Sequence, residues 1–159
     1  MWPARSIVIL LVTLSLVAWC LPAAAQEAIG VVRTSAGAAT ISREGQNLPA
    51  GVGTKLMAGD ILVTGSDGSL GVILRDNSTL SIGPQSSLAI EEFLFSPAEG
   101  KLGLLARITR GTMAYISGLI GKSAPGSARF ETPVATIGIR GTRFAVEVGN
   151  PISDKEMHE

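Results

Sequence analysis

Hydrophobic and polar residues alternate along most of this chain, most regularly near its end. Phe144, Val146 and Val148 would share one face of a strand, while the residues between them would share the other. This period-2 alternation is typical of a half-buried β-strand. An earlier apolar run, residues 134–139, predicts a second short strand just before it. The end of the chain is therefore expected to form two strands that meet at a corner.

The same pattern predicts about ten short strands and no helix after residue 25. Turn signals recur about every 8–12 residues, which is typical of an all-β fold such as a sandwich. A β-solenoid fits the spacing equally well, although no strict repeat is visible. Residues 117–127 are expected to be a long loop or a chain crossing. The other predicted strands are residues 29–33, 38–43, 61–63, 69–74, 79–82, 87–92, 102–109, 113–116 and 128–131.

Several polar and special residues mark the predicted turns. Asp60, which follows Gly59, is expected to accept hydrogen bonds from nearby backbone N–H groups and hold its turn. Asp76 begins a hairpin corner that lacks the further acids of an EF-hand calcium loop. Pro133 suits a strand start or an edge, and Gly141 is expected to bend the chain with a positive φ.

The first 25 residues have the pattern of a secretory signal peptide. Arg5 supplies the positive region, residues 6–21 are almost entirely apolar, and Ala23 and Ala25 fit the small-residue cleavage rule. Cleavage is therefore expected after Ala25, with export to the periplasm. The alternative is an uncleaved membrane anchor, but the run is shorter than the ~20 apolar residues of a spanning helix.

Composition restricts the chemistry of the exported chain. Its only cysteine, Cys20, follows Trp19 rather than a small residue and lies before the cleavage site. Lipid attachment, disulfides and thiol chemistry are therefore not expected. Removing Arg5 from the 13 basic residues leaves 12 against 13 acidic residues, a net charge of −1. That balance argues against nucleic acid as a partner and gives no reason to expect anionic lipid.

Enzymatic and metal sites find little support. The only histidine is His158, next to the end of the chain, whereas a nucleophile triad or a zinc site needs positioned imidazole or thiolate groups. Glu91 and Glu92 would point to opposite faces of a strand. The run 118–123 has Ile116 where a phosphate-binding loop needs glycine. No cofactor, metal or catalytic residue is predicted.

Three motifs in order resemble the FecR domain, a bacterial periplasmic module. They are residues 56–65, residues 75–84, and residues 132–135 with 139–144, so that the resemblance covers residues 30–149. It implies an irregular, twisted β-solenoid-like domain, with a β-sandwich as the alternative. The motif residues, expected to be structural, are Gly59, Asp60, Asp76, Pro133, Arg140, Gly141, Thr142 and Phe144.

The resemblance also implies a function. Well-known FecR proteins relay the state of an outer-membrane siderophore transporter to a cytoplasmic sigma factor. Only five residues precede the apolar run here, and little follows Val148, so neither a cytoplasmic segment nor a second periplasmic subdomain is expected. The chain is predicted to be a signal peptide (1–25), a β domain (30–149) and a flexible polar tail (150–159), without a stable membrane anchor after cleavage.

Two hypotheses for the function follow. The first is a non-catalytic periplasmic accessory that binds an envelope protein in iron-uptake or envelope signalling. The second is an envelope glycan-binding or scaffold module. Arg140 could pair with a nearby acid or turn carbonyls, or bind a partner carboxylate or an anionic glycan; for Arg143 no choice is possible. Phe93 and Phe95 could cap the core or form an exposed patch.

Overall fold

A computed structural model describes residues 27–149, so the predicted signal peptide and polar tail lie outside the described residues. A turn of 3-10 helix covers Pro97–Glu99 and a short helix, α1, covers Leu119–Ser123. The strands are β1 (Gly30–Ala36), β2 (Ala39–Arg43), β3 (Gln46–Pro49), β4 (Lys55–Leu56), β5 (Ile61–Thr64), β6 (Ser69–Leu74), β7 (Thr79–Ile82), β8 (Ser87–Ser96), β9 (Lys101–Ile116), β10 (Ala128–Glu131), β11 (Thr136–Gly138) and β12 (Arg143–Val148).

The strands form one curled sheet of twelve strands, which confirms the predicted all-β class. The main path runs β3-β2-β5-β8-β9-β7-β6-β1-β4, and β10, β11 and β12 branch from it. All pairings are antiparallel except that of β10 with β9. Helix α1 and its flanking residues make the crossover that this parallel pair needs.

Strand β9 is the common element of the sheet. Along one edge it pairs first with β8 and then with β7, which the chain joins through residues 83–86. Along its other edge it pairs with β10 at residues 104–107 and with β12 at residues 111–116. A left-handed glycine, Gly111 with φ of 86°, lies where the two sets of neighbours meet.

The core is a single cluster inside the curl. Alternate residues of β5, β6, β7 and β9 are buried, as the period-2 pattern requires. Tyr115 and Phe130 are the largest fully buried side chains. Half-buried residues of β11 and β12 pack against the same cluster from the end of the sheet.

Several predicted boundaries are wrong. Residues 117–127 contain α1, whose single turn is too short to show helical periodicity. Residues 102–109 and 113–116 belong to one strand, because Gly111 bends the chain without reversing it. Strands β3 and β4 lie where loops were expected, and β11 begins only at Thr136. No helix within residues 27–149 is long and apolar enough to cross a membrane.

Candidate functional site

Asp60 holds a corner between β4 and β5. Its carboxylate is buried and accepts hydrogen bonds from Arg43 at 2.8 Å through Nε and 2.7 Å through Nη2. It also accepts the backbone N–H of Met57 at 2.8 Å. Gly59 occupies the position of the Met57–Asp60 turn that requires a positive φ, here 89°. The Asp60 carboxylate is fully engaged inside the fold, and its hydrogen bonds raise the pKa of Arg43.

A second buried polar cluster joins Asp76 to helix α1. The Asp76 carboxylate accepts hydrogen bonds from the Ser78 hydroxyl at 2.6 Å and from the Ile120 N–H at 3.2 Å. The Ser78 hydroxyl lies 3.0 Å from the Tyr115 hydroxyl and accepts the Gly118 N–H at the same distance. Burial raises the pKa of Tyr115. The cluster anchors the crossover to the β6–β7 turn and leaves no free nucleophile there.

Three aromatic rings fix the last strands to β9. The ring of Phe130 lies 4.8 Å from that of Tyr115 and 4.8 Å from that of Phe144, measured between centroids. Phe144 is directly opposite Tyr115 in the β12–β9 pairing. Phe144 is only half-buried, because β12 lies at the rim of the curled sheet.

The β10–β11 hairpin carries the most exposed of the large apolar side chains within residues 27–149. Thr132 closes the connection: its hydroxyl accepts the Ala135 N–H at 3.0 Å, and its own N–H donates to the Ala135 carbonyl at 2.8 Å. Pro133 and Val134 form the tip, and the Val134 side chain is 93% exposed. The sequence pattern had placed Val134 in a strand, where it would have been sheltered.

This tip is one wall of an open apolar groove of about 500 Å³. The opposite wall is the end of β12, and Thr109 of β9 lies between the two. Its lining residues are Thr109, Thr132, Pro133, Val134, Ala135, Ile137, Val146, Glu147, Val148 and Gly149. Glu147 is the one charged residue among them, so the groove favours an apolar occupant.

The topology explains why the groove is open. β10 and β12 pair with the same edge of β9. The β10 pairing ends at Arg107 of β9, and the β12 pairing starts at Gly111 of β9. Residues 108–110 therefore lie in a gap between the two strands. β11 pairs only with β10, and β12 only with β9, so each also has an unpaired edge among the described strands. An apolar groove bordered by unpaired edges can accept an extended peptide.

The corner between β11 and β12 differs from the prediction. Gly141 does not have a positive φ, and a Cβ added to it would meet nothing within 4 Å. The Arg140 side chain is exposed and makes no hydrogen bond or ion pair with the described residues. Thr142 holds the corner through its carbonyl, which accepts the Ser117 N–H at 2.9 Å.

The sequence left open whether Phe93 and Phe95 cap the core or form an exposed patch. Phe93 and Phe95 continue β8 and are half-buried against the core, with ring centroids 6.3 Å apart.

Within residues 27–149, no group of three or more His, Cys, Asp or Glu side chains could hold a metal ion. The groove itself was not predicted, although an apolar Val134 next to Pro133 is a signal for an exposed turn.

Comparison with known proteins gives one family. A family model described as FecR protein matches residues 60–156, more than half of the chain. No curated protein and no solved structure matches significantly. The matched region begins at Asp60 and includes Asp76, the hairpin tip, the β11–β12 corner and the whole of β12.

Proposed function

This chain belongs to the FecR family, and from that premise we propose that it is a periplasmic, non-catalytic protein that binds an envelope protein in its groove. Membership in the family indicates a signalling-related role in the regulation of iron uptake, and proteins of the family are associated with the cell envelope. The periplasmic part of the proposal depends on the predicted cleavage after Ala25.

One observation carries the proposal: the groove leaves apolar side chains of the rim exposed instead of covering them. Ile137, Val146 and Val148 pack on the core from one side and line the groove on the other. Val134 lies at its wall almost fully exposed. Exposed apolar surface of this kind marks interaction sites.

We propose strand addition as the way in which the partner binds. An extended segment beside β12 would pair with its free backbone groups, while alternate apolar side chains would enter the groove. Arg143 and Glu147 are charged and exposed on β12, which discourages this edge from pairing with another copy of itself. The partner segment is therefore expected to be extended and apolar on one face.

The glycan-binding alternative gains no support from the placement of the aromatic rings. Tyr115 and Phe130 are fully buried, and Phe93, Phe95 and Phe144 are half-buried. A sugar platform would need a ring face open to solvent. The described aromatic residues serve the core instead.

The proposal is tested by site-specific crosslinking in cells. A photo-crosslinking amino acid replaces Val134 in one variant and Val52 in the control; Val52 is 69% exposed and does not line the groove. We expect one envelope protein to be captured from position 134 and not from position 52. Capture of a siderophore transporter or a membrane-bound sigma-factor regulator would support the signalling role.

A second variant, Val134→Asp, measures how much the groove contributes, with the crosslinking amino acid moved to Ala135, which is exposed and also lines the groove. Because Val134 is exposed, the fold should be unaffected, while a charge in an apolar site should weaken capture by about tenfold or more. Val52→Asp should leave capture unchanged. Equal capture from positions 134 and 52, or recovery only of wall glycan or envelope-assembly proteins, would contradict the proposal.

A further inference from the structure

A small basic pocket lies at the end of the sheet where α1 meets the β11–β12 corner. It has a volume of about 290 Å³ and is lined by Gly121, Lys122, Pro125, Arg140, Gly141 and Thr142. Both of its charged residues, Lys122 and Arg140, are cationic, and no carboxylate lines it. It does not share a residue with the apolar groove.

Neither of these two cations forms an ion pair with a described carboxylate, unlike four other described cations: Arg43, Arg75, Lys101 and Arg107. Arg43 and Arg107 are each held by carboxylates, at 2.7 Å from Asp60 and 2.6 Å from Glu131. Lys122 and Arg140 have no such partner within residues 27–149. Because both line the same pocket and no described carboxylate neutralises them, their positive potentials add there and favour an anion.

The backbone adds further donors to the pocket. The carbonyls of Ile139 and Thr142 already accept hydrogen bonds, from Gly126 at 3.2 Å and from Ser117 at 2.9 Å. These bonds hold residues 139–142 in place. The N–H groups of Arg140, Gly141 and Thr142, and the Thr142 hydroxyl, donate no hydrogen bond to the described residues. The pocket therefore combines fixed donors with positive charge, as oxyanion sites do.

We propose that this pocket binds a phosphate group. An arginine fork, a lysine ammonium and backbone N–H groups that line one pocket suit an oxyanion that accepts hydrogen bonds on several oxygens. The near-zero net charge of the chain does not oppose this, because binding depends on the local charge at the pocket. Pocket and groove are separate sites, so neither proposal depends on the other.

The phosphate could be free in solution or belong to a lipid headgroup. Leu119 and Ile116, which are 45% and 42% exposed, lie in or beside α1, and such apolar side chains would meet a lipid surface. The chemistry recognised is the same in both cases. Two probes separate the sources: inorganic phosphate, and vesicles of phosphatidylglycerol mixed with phosphatidylcholine.

The test follows the backbone amides of the full chain by nitrogen-edited NMR at constant ionic strength. On addition of inorganic phosphate we expect saturable shifts at Gly141 and Thr142. Vesicle co-sedimentation forms the second arm, with pure phosphatidylcholine vesicles as the blank. The double variant Lys122→Gln, Arg140→Gln should weaken binding by about tenfold or more in whichever arm is positive.

The matched control is Arg33→Gln, because Arg33 is exposed on β1 and does not line the pocket. It should bind phosphate like the unaltered protein. Shifts with inorganic phosphate assign a free phosphate, and binding to anionic vesicles alone assigns a lipid headgroup. No response in either arm, or an equal response from the double variant, would overturn the proposal.

Discussion

At the residue scale, Tyr115 shows how the fold controls one ionisable group. It is the only tyrosine of the chain and is fully buried beside Ser78. Burial raises its pKa above the usual 10.0. The phenol therefore ionises more easily in the unfolded state than in the folded state. The free energy of unfolding is unaffected by this difference below pH 10.0, and it decreases as the pH rises from 10.0 to the folded-state pKa.

The measurement is an alkaline titration of the phenolate absorbance, which reports on Tyr115 alone. We expect ionisation of the native protein only above pH 10.0, the usual value, and a parallel loss of thermal stability. Tyr115→Phe should abolish the decrease in thermal stability that accompanies ionisation of the phenol. The same variant should be less stable at neutral pH, because it lacks the hydrogen bond with Ser78. Native-state ionisation at the usual value would show that the side chain is solvated.

At the element scale, β9 depends on one backbone conformation. Gly111 has a φ of 86°, and a Cβ there would clash with Ser86. Gly111→Ala is therefore expected to lower the free energy of unfolding by about 2 kcal/mol or more, measured by urea denaturation. The control is Gly45→Ala, since Gly45 has a φ of 80° and open space around it. Equal losses in both variants would show that the contact with Ser86 is unimportant.

The same strand shows what sequence could and could not predict. Alternation placed residues 102–109 and 113–116 in strands correctly, because each side chain there faces either the core or solvent. It misjudged Gly111, since a glycine permits both a turn and a bend, and the choice depends on pairing with β7 and β12. Helix α1 is held by Asp76 from a distant turn, which no local pattern reports. The groove was likewise not predicted, because the gap between β10 and β12 depends on where each of them pairs along β9.

At the scale of the whole molecule, stability should fall from the centre of the sheet to its rim. β9 has a paired strand along most of both edges, whereas β11 and β12 each have one unpaired edge among the described strands. Amide hydrogen exchange should therefore be slowest in β9 and fastest in β11 and on the free edge of β12. Equal protection from hydrogen exchange in all strands would show that β11 and β12 are as stable as β9, contrary to this prediction.

On the proposed function, the groove would link this stability gradient to the binding of a partner. Its walls include Val146 and Val148, which also pack on the core. A partner that occupies the groove therefore adds its binding free energy to that of the folded state. Occupied domains would outlast empty ones in the presence of proteases that attack the rim. If the proposed partner binds in the groove, the lifetime of the protein records its presence without any change of shape in the rest of the sheet.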